Sequence, residues 1–141
     1  MTLALAPPDG FVRHYRKSPL TDPWEPLFSR KADGVVAIGF TAAAQHANSR
    51  GFVHGGMISA LADNAMGLSC AEALDGRPSL VTVSLALDFL GVARLGQWVE
   101  VRPAVSRLGS TLCFAEAAVT ADGHPCAKAH ATFRVVRAAA A

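Results

Sequence analysis

The 141-residue chain has few aromatic residues, few cysteines and no long apolar run. Aromatic residues make up 7% of the chain and alanine fills 27 positions, so we expect a core of small side chains that pack closely. Asp63, Asn64 and Glu72 interrupt the longest apolar stretch before it reaches the roughly 20 residues of a membrane-spanning helix. We therefore expect a protein that is not integral to a membrane.

The cysteines and the first residues of the chain bear on its cellular compartment. Cys70, Cys113 and Cys126 are odd in number and widely spaced, which favours reduced packing residues over a disulfide framework or a zinc site. Residues 1–11 have no basic start, and Pro7 ends their short apolar stretch, unlike a secretory signal. The expected location is cytoplasmic.

Charge and common motifs exclude several functional classes. A net charge of +2 at pH 7 is too small to indicate nucleic-acid binding. The sequence has no G-x-S-x-G, H-E-x-x-H, C-x-x-C or G-x-G-x-x-G motif and no P-loop. The composition, 51% hydrophobic and 17% charged, is still typical of one folded globular domain.

The apolar pattern predicts one long helix followed by strands. Five of the eight prolines lie in residues 1–33, which we expect to be irregular apart from a short helix near 23–30. Residues 34–41 predict a strand, and residues 54–74 a helix of about 20 residues that ends before Gly76. Period-two patterns predict four more strands: 79–90, 97–107, 111–120 and 126–136.

These elements predict an α+β domain over residues 34–137, in which an antiparallel sheet wraps around one central helix. The last four strands are expected to form a meander, and residues 138–141 a frayed tail. In the strand at 79–90, alternation groups the residues into two faces: Val81, Val83, Leu85, Leu87 and Phe89 on one, and Thr82, Ser84, Ala86 and Asp88 on the other.

The predicted helix is apolar on almost every side. Ile58, Leu61, Ala65 and Leu68 form a stripe that can pack on the sheet. The opposite stripe is small or apolar except for one carboxylate: Gly56, Ser59, Ala60, Asp63, Met66, Gly67 and Cys70. A chain of this size has little left to cover that second stripe, so we expect a second subunit there.

Asp63 is unusual on such a face, because desolvating a carboxylate costs several kcal/mol unless it is bonded, paired or open to water. An isolated helical aspartate more often bonds to a neighbouring loop. Here, however, the helix begins with Gly55 and Gly56, whose backbone N–H groups are suited to binding an oxyanion. Asp63 lies nine residues after His54, about 13 Å along the axis, too far to reach a carbonyl held at the start of its own helix. An antiparallel helix of a two-fold partner could bring the two features together.

The segment His54-Gly55-Gly56, with Asn48 before it, Asp63 after it and Thr82 on the next strand, resembles the hotdog-fold acyl-CoA thioesterases. The similarity is to the branch of the phenylacetate-pathway thioesterase and thioesterase superfamily member 2. It covers about residues 24–136. It implies a dimer whose sheets join, often paired into a homotetramer, with no metal or cofactor beyond the CoA of the substrate.

The resemblance also implies roles for individual residues. Gly55 would supply the oxyanion N–H, His54 would fix the loop and the thioester, and Asn48 would position the carbonyl or a water. Asp63 of the opposing subunit would be the nucleophile or general base, with Thr82 orienting the water. Weaker candidates for contacting the substrate are Gly56, Phe52, Met57, Met66, Phe89, Leu90 and, for the CoA phosphates, Arg107.

The expected activity is hydrolysis of an aryl-acetyl or medium-chain acyl-CoA to the free acid and CoA at a site between subunits. Two alternatives remain open at this point. One is a hotdog protein that binds acyl-CoA without catalysis, and the less favoured one is an enoyl-CoA hydratase, whose usual paired Asp and His on one loop is not evident here.

Overall fold

The computed structural model describes residues 6–137, which form a seven-stranded antiparallel sheet curled around one long helix. In chain order the elements are β1 Val12–Arg13, a 3₁₀ turn at Asp22–Trp24, β2 Phe28–Ala32, β3 Val35–Thr41, a 3₁₀ turn at Ala44–His46, α1 Gly55–Ala73, β4 Ser79–Phe89, β5 Trp98–Leu108, β6 Leu112–Ala121 and β7 His124–Val136. The predicted helix and its five predicted strands are confirmed to within two residues at each end. The tail expected at 138–141 lies outside the described residues. Within the described range, no helix combines the length and apolar character needed to cross a membrane.

The segment before Gly34 contains more regular secondary structure than the sequence pattern predicts. β2 and β3 form a hairpin around Asp33 and Gly34, whose φ angles of 56° and 77° are typical of a two-residue primed turn. The helix expected near 23–30 is only the 3₁₀ turn at Asp22–Trp24, because the chain turns extended and pairs with β3 from Phe28 onward. The prediction of an irregular segment over residues 1–33 is therefore wrong for β1 and β2.

The strand order is β1-β2-β3-β5-β6-β7-β4. β5, β6 and β7 form the predicted meander, but β4 pairs with β7 at the edge of the sheet rather than with β5. Residues 90–97, which join β4 to β5, are too many for a tight hairpin. They cross the end of the sheet, where the Val53 N–H donates to the Ala93 carbonyl at 2.9 Å.

A β-bulge in β4 changes which side chains face the helix. Thr82 pairs with Phe133, whereas Ser84 pairs with the adjacent Thr132. Because neighbouring residues of β7 point to opposite faces of the sheet, Thr82 and Ser84 also do so. The predicted grouping of these two on one face is wrong, and Thr82 shares the helix side with Leu85.

The curled sheet buries more than half of the circumference of α1. The buried residues are Met57, Ile58, Leu61, Ala62, Ala65, Met66, Ser69 and Cys70. Met66 and Cys70, predicted on the stripe away from the sheet, therefore lie in the core, and Leu68 is only partly buried. A narrower stripe, here called the open stripe, stays partly or fully exposed: Gly56, Ser59, Ala60, Asp63, Gly67 and Ala71.

Candidate functional site

Asn48 shapes the loop that leads into α1. Its side-chain oxygen accepts hydrogen bonds from the Arg50 N–H at 2.9 Å and the Phe52 N–H at 3.2 Å. Its own N–H donates to the Phe52 carbonyl at 2.7 Å. Asparagine suits this arrangement because its side chain bonds to the backbone of residues that follow it. The Asn48 NH₂ group takes no part in these bonds.

His54 caps the N-terminus of α1. Its Nδ1 accepts a hydrogen bond from the Gly56 N–H at 2.8 Å. A neutral ring in this arrangement carries its proton on Nε2, so Nε2–H is the donor that His54 can offer outward. The cap also explains Gly56, since a Cβ atom there would lie only 2.9 Å from the His54 ring.

Gly55 is the first residue of α1, where a helix has no internal acceptor for its N–H groups. Among residues 6–137 its N–H donates to no other group. Phe89, which is 52% exposed, covers this position, because a Cβ atom on Gly55 would lie 3.1 Å from the Phe89 ring. The positive end of the helix and one free N–H therefore meet an exposed aromatic ring.

Asp63 and Thr82 form a hydrogen-bonded pair within one chain. The Thr82 hydroxyl donates to an Asp63 carboxylate oxygen at 2.7 Å. Both line a cleft of about 570 Å³, here called the Asp63 cleft, whose other walls include Tyr15 and Arg16. Asp63 is half-buried and lies on the open stripe.

The predicted catalytic residues fall into two groups in each chain. Asn48, His54 and Gly55 lie around the start of α1, whereas Asp63 and Thr82 lie about 12 Å further along the helix axis. The reacting atoms of one thioester lie within a few ångströms of one another. The two groups of one chain therefore lie too far apart to act on the same carbonyl.

The weaker candidates are scattered. Gly56 and Met57 line a second cleft beside the helix start. Phe52 is half-buried in the preceding loop. Met66 has no exposed surface, so it is a core residue and not the wall of a pocket. Arg107 is exposed next to a bulge in β5.

Sequence reasoning missed His46, which ends the 3₁₀ turn before α1. The ring is buried, its Nε2–H donates to the Trp24 carbonyl at 2.8 Å, and its Nδ1 accepts from the Ala43 N–H at 3.0 Å. Burial lowers the pKa of His46, which favours this neutral, doubly bonded form. The His46 carbonyl in turn accepts from the His54 N–H at 2.8 Å, so His46 positions the loop.

The cysteines are packing residues, as predicted. All three are buried and unpaired, and burial raises the pKa of the Cys70 thiol to about 11. A thiol so rarely ionised at neutral pH is a poor nucleophile. In the described part of the chain, no three His, Cys, Asp or Glu side chains are grouped as metal ligands.

Comparisons with known proteins agree with this architecture. Residues 50–128 match the family model described as the thioesterase superfamily. A Pseudomonas aeruginosa protein named as an esterase is 37% identical over 129 residues, covering 91% of this chain and 96% of its own. Acyl-coenzyme A thioesterase 13 of Homo sapiens is 32% identical over 91 residues, 63% of each chain. A solved structure of a Ralstonia eutropha protein, named as a thioesterase related to phenylacetic acid degradation, has a TM-score of 0.74 and 27% identity over 85% of this chain and 92% of that one.

Proposed function

The chain belongs to the thioesterase superfamily and is a thioester hydrolase with the hotdog fold, and we propose that its substrate is an acyl-CoA. The reaction adds water across the carbonyl–sulfur bond and releases a carboxylic acid and free CoA. The name of the human relative supports an acyl-CoA as substrate. The observation that carries the proposal is the Asp63 carboxylate, held by Thr82 on an open apolar helix face.

The proposed assembly is a dimer joined at β4. This strand has a neighbour only on its β7 side within the described chain, and its free edge is apolar: Val81 is 55% exposed and Val83 59%. Free, apolar strand edges pair readily with another chain. A two-fold axis at this edge extends the sheet and sets the two open stripes side by side and antiparallel. Pairing of two such dimers into a tetramer is part of the same proposal.

In the proposed dimer, the start of one helix faces Asp63 of the partner subunit. The Gly55 N–H, at the positive end of α1, binds the thioester oxygen as negative charge develops on it. The His54 Nε2–H and the Asn48 NH₂ group hold the same carbonyl or a water. The partner's Asp63 supplies the attacking oxygen, from its own carboxylate or from a water it deprotonates, and the partner's Thr82 fixes the carboxylate.

Thr82→Val is expected to lower kcat about tenfold, which corresponds to about 1.4 kcal/mol. Valine keeps the shape of threonine in a strand but removes the hydroxyl that donates to Asp63 at 2.7 Å. Steady-state hydrolysis of octanoyl-CoA measures the effect. Thr132→Val, on the outer face of β7, is the matched control and should leave kcat unchanged. An unchanged kcat in Thr82→Val would remove Thr82 from the mechanism.

Mixing two inactive variants is expected to restore activity if the site is shared. An Asp63→Asn chain still has a normal Gly55, and a Gly55→Pro chain still has a normal Asp63. Their heterodimer contains one intact site and one doubly defective site. Random pairing makes half of the dimers heterodimers, and each heterodimer has one intact site of two. A co-refolded mixture should therefore reach about a quarter of wild-type activity.

The control for this experiment is each variant refolded alone, which should remain inactive. A mixture as inactive as its parents, with heterodimers present by native mass spectrometry, would contradict a site shared between subunits. Hydrolysis itself distinguishes the proposal from an acyl-CoA-binding protein, which gives no product. Hydration of crotonyl-CoA without hydrolysis would favour the enoyl-CoA hydratase.

A cytoplasmic location is part of the proposal. Three buried, unpaired cysteines support it, because thiols persist in reducing compartments. No cofactor is required for the proposed reaction, since the thioester is already activated and water is the co-substrate.

A further inference from the structure

The segment of residues 14–26, here called the N-terminal arm, is bonded to the loop that carries His54. The Trp24 carbonyl accepts from the buried His46 ring at 2.8 Å, and the His46 carbonyl accepts from the His54 N–H at 2.8 Å. The Gln45 side chain also donates to the Glu25 carbonyl at 3.3 Å. The arm is therefore fixed relative to the start of α1.

An apolar cleft of about 440 Å³, here called the arm cleft, lies between the N-terminal arm and the first turns of α1. Its lining residues are Leu20, Trp24, Gln45, His46, Ala47, His54, Gly56, Met57 and Ala60. Its wall includes His54 and Gly56, the two residues that flank Gly55 in the sequence. Leu20 also lines the Asp63 cleft, and it is 64% exposed where the two clefts meet.

The chemistry of the arm cleft suits an uncharged acyl group. None of the lining residues within the described chain is Asp, Glu, Lys or Arg, whereas the Asp63 cleft includes Arg16, Glu72 and Arg77. Binding sites for apolar ligands combine such apolar walls with a few polar groups that fix orientation. At about 30 Å³ per water-sized atom, the cleft holds about fifteen non-hydrogen atoms, enough for an arylacetyl or medium-chain acyl group but not for a long-chain one.

We propose that the arm cleft binds the acyl group and that Leu20 of the N-terminal arm sets its maximum length. The proposal rests on the proposed acyl-CoA hydrolysis and names the part of the chain that selects the substrate. Trp24 and Met57 form the apolar walls. His46 is a positioning residue that holds Trp24 against the loop.

The test compares kcat/KM for acetyl-, hexanoyl-, octanoyl-, dodecanoyl- and phenylacetyl-CoA in Leu20→Ala and Leu20→Trp. A single methylene in an apolar pocket changes kcat/KM by about 10- to 200-fold. We therefore expect Leu20→Ala to raise the ratio of kcat/KM for dodecanoyl-CoA to kcat/KM for hexanoyl-CoA about tenfold. Leu20→Trp should lower the same ratio by a similar factor.

Leu95→Ala is the matched control, because Leu95 is also an exposed leucine, at 45%, and it contributes to neither of the two clefts. It should keep the wild-type chain-length profile. Unchanged profiles in both Leu20 variants, with hydrolysis retained, would overturn the role of the arm while leaving the proposed hydrolysis intact. Calorimetric binding of octyl-CoA, an unhydrolysable thioether, gives an independent readout. Leu20→Trp should weaken this binding about tenfold. Equal affinities of the wild-type protein and Leu20→Trp for octyl-CoA would overturn the proposal even if the protein were inactive.

Discussion

Asp63→Asn is expected to lower kcat for acyl-CoA hydrolysis by at least about 100-fold while the protein stays folded. Asparagine has nearly the same shape and still accepts a hydrogen bond from the Thr82 hydroxyl, which now donates to Asp63 at 2.7 Å. It can neither attack a carbonyl as a carboxylate nor accept a proton from water at neutral pH. KM should change much less than kcat, because the carboxylate acts on the reacting atoms and not on the bulk of the substrate.

The control for Asp63→Asn is the same substitution at Asp88. Asp88 is an exposed carboxylate on the outer face of β4, the strand that carries Thr82. Asp88→Asn should hydrolyse acyl-CoA at the wild-type rate, and thermal unfolding should show that both variants remain folded. Wild-type turnover in Asp63→Asn would show that this carboxylate is neither nucleophile nor general base, and it would remove the central residue of the proposed site.

The sequence was sufficient to predict the long helix and the strands that surround it. From residue 54 to 74 the chain has no proline and is rich in Ala, Leu and Met, and the strands after it alternate clearly. Asp122-Gly123 and Asp33-Gly34 carry the same hairpin signal, and both turns have positive φ angles. The five prolines of residues 1–33 instead indicate an irregular segment, which is why the sequence pattern did not predict β2.

The position of β4 could not be read from local patterns. An antiparallel strand alternates in the same way whichever neighbour it pairs with, so a meander and an edge position next to β7 predict the same sequence. The bulge next to Thr82 has no clear sequence pattern either, because it depends on how β4 accommodates one extra residue opposite β7. That bulge is what turns the Thr82 hydroxyl towards Asp63.

The candidate site was predicted in part, from short-range signals. The glycines at a helix start and the carboxylate on an apolar face are visible within one segment of sequence, and the structure places them as expected on α1. The role of His46 depends on Trp24, which is 22 residues away and joined through the tertiary fold. No spacing rule connects such residues, so contacts of this kind emerge only with the structure.

Gly55→Pro is expected to lower kcat about 100- to 1,000-fold, because it removes the one N–H proposed to stabilise the oxyanion. Proline is well tolerated at the first position of a helix, where the N–H has no internal acceptor. His54 already has φ of −66° and ψ of 131°, the extended conformation that a residue before proline requires. The substitution therefore removes a donor with little cost to the fold.

Gly55→Ala separates the loss of the N–H from the added bulk. Both substitutions place a Cβ atom about 3.1 Å from the Phe89 ring, an exposed side chain that can shift, but alanine keeps the N–H. Gly55→Ala should therefore lose less than about tenfold in kcat, whereas Gly55→Pro should lose far more, since one oxyanion donor contributes roughly 3–4 kcal/mol to the transition state. Equal losses in the two variants would mean that crowding against Phe89, and not the N–H, accounts for the effect. The helix start would then serve packing alone, and the stabilisation of the oxyanion would have to come from His54 or Asn48.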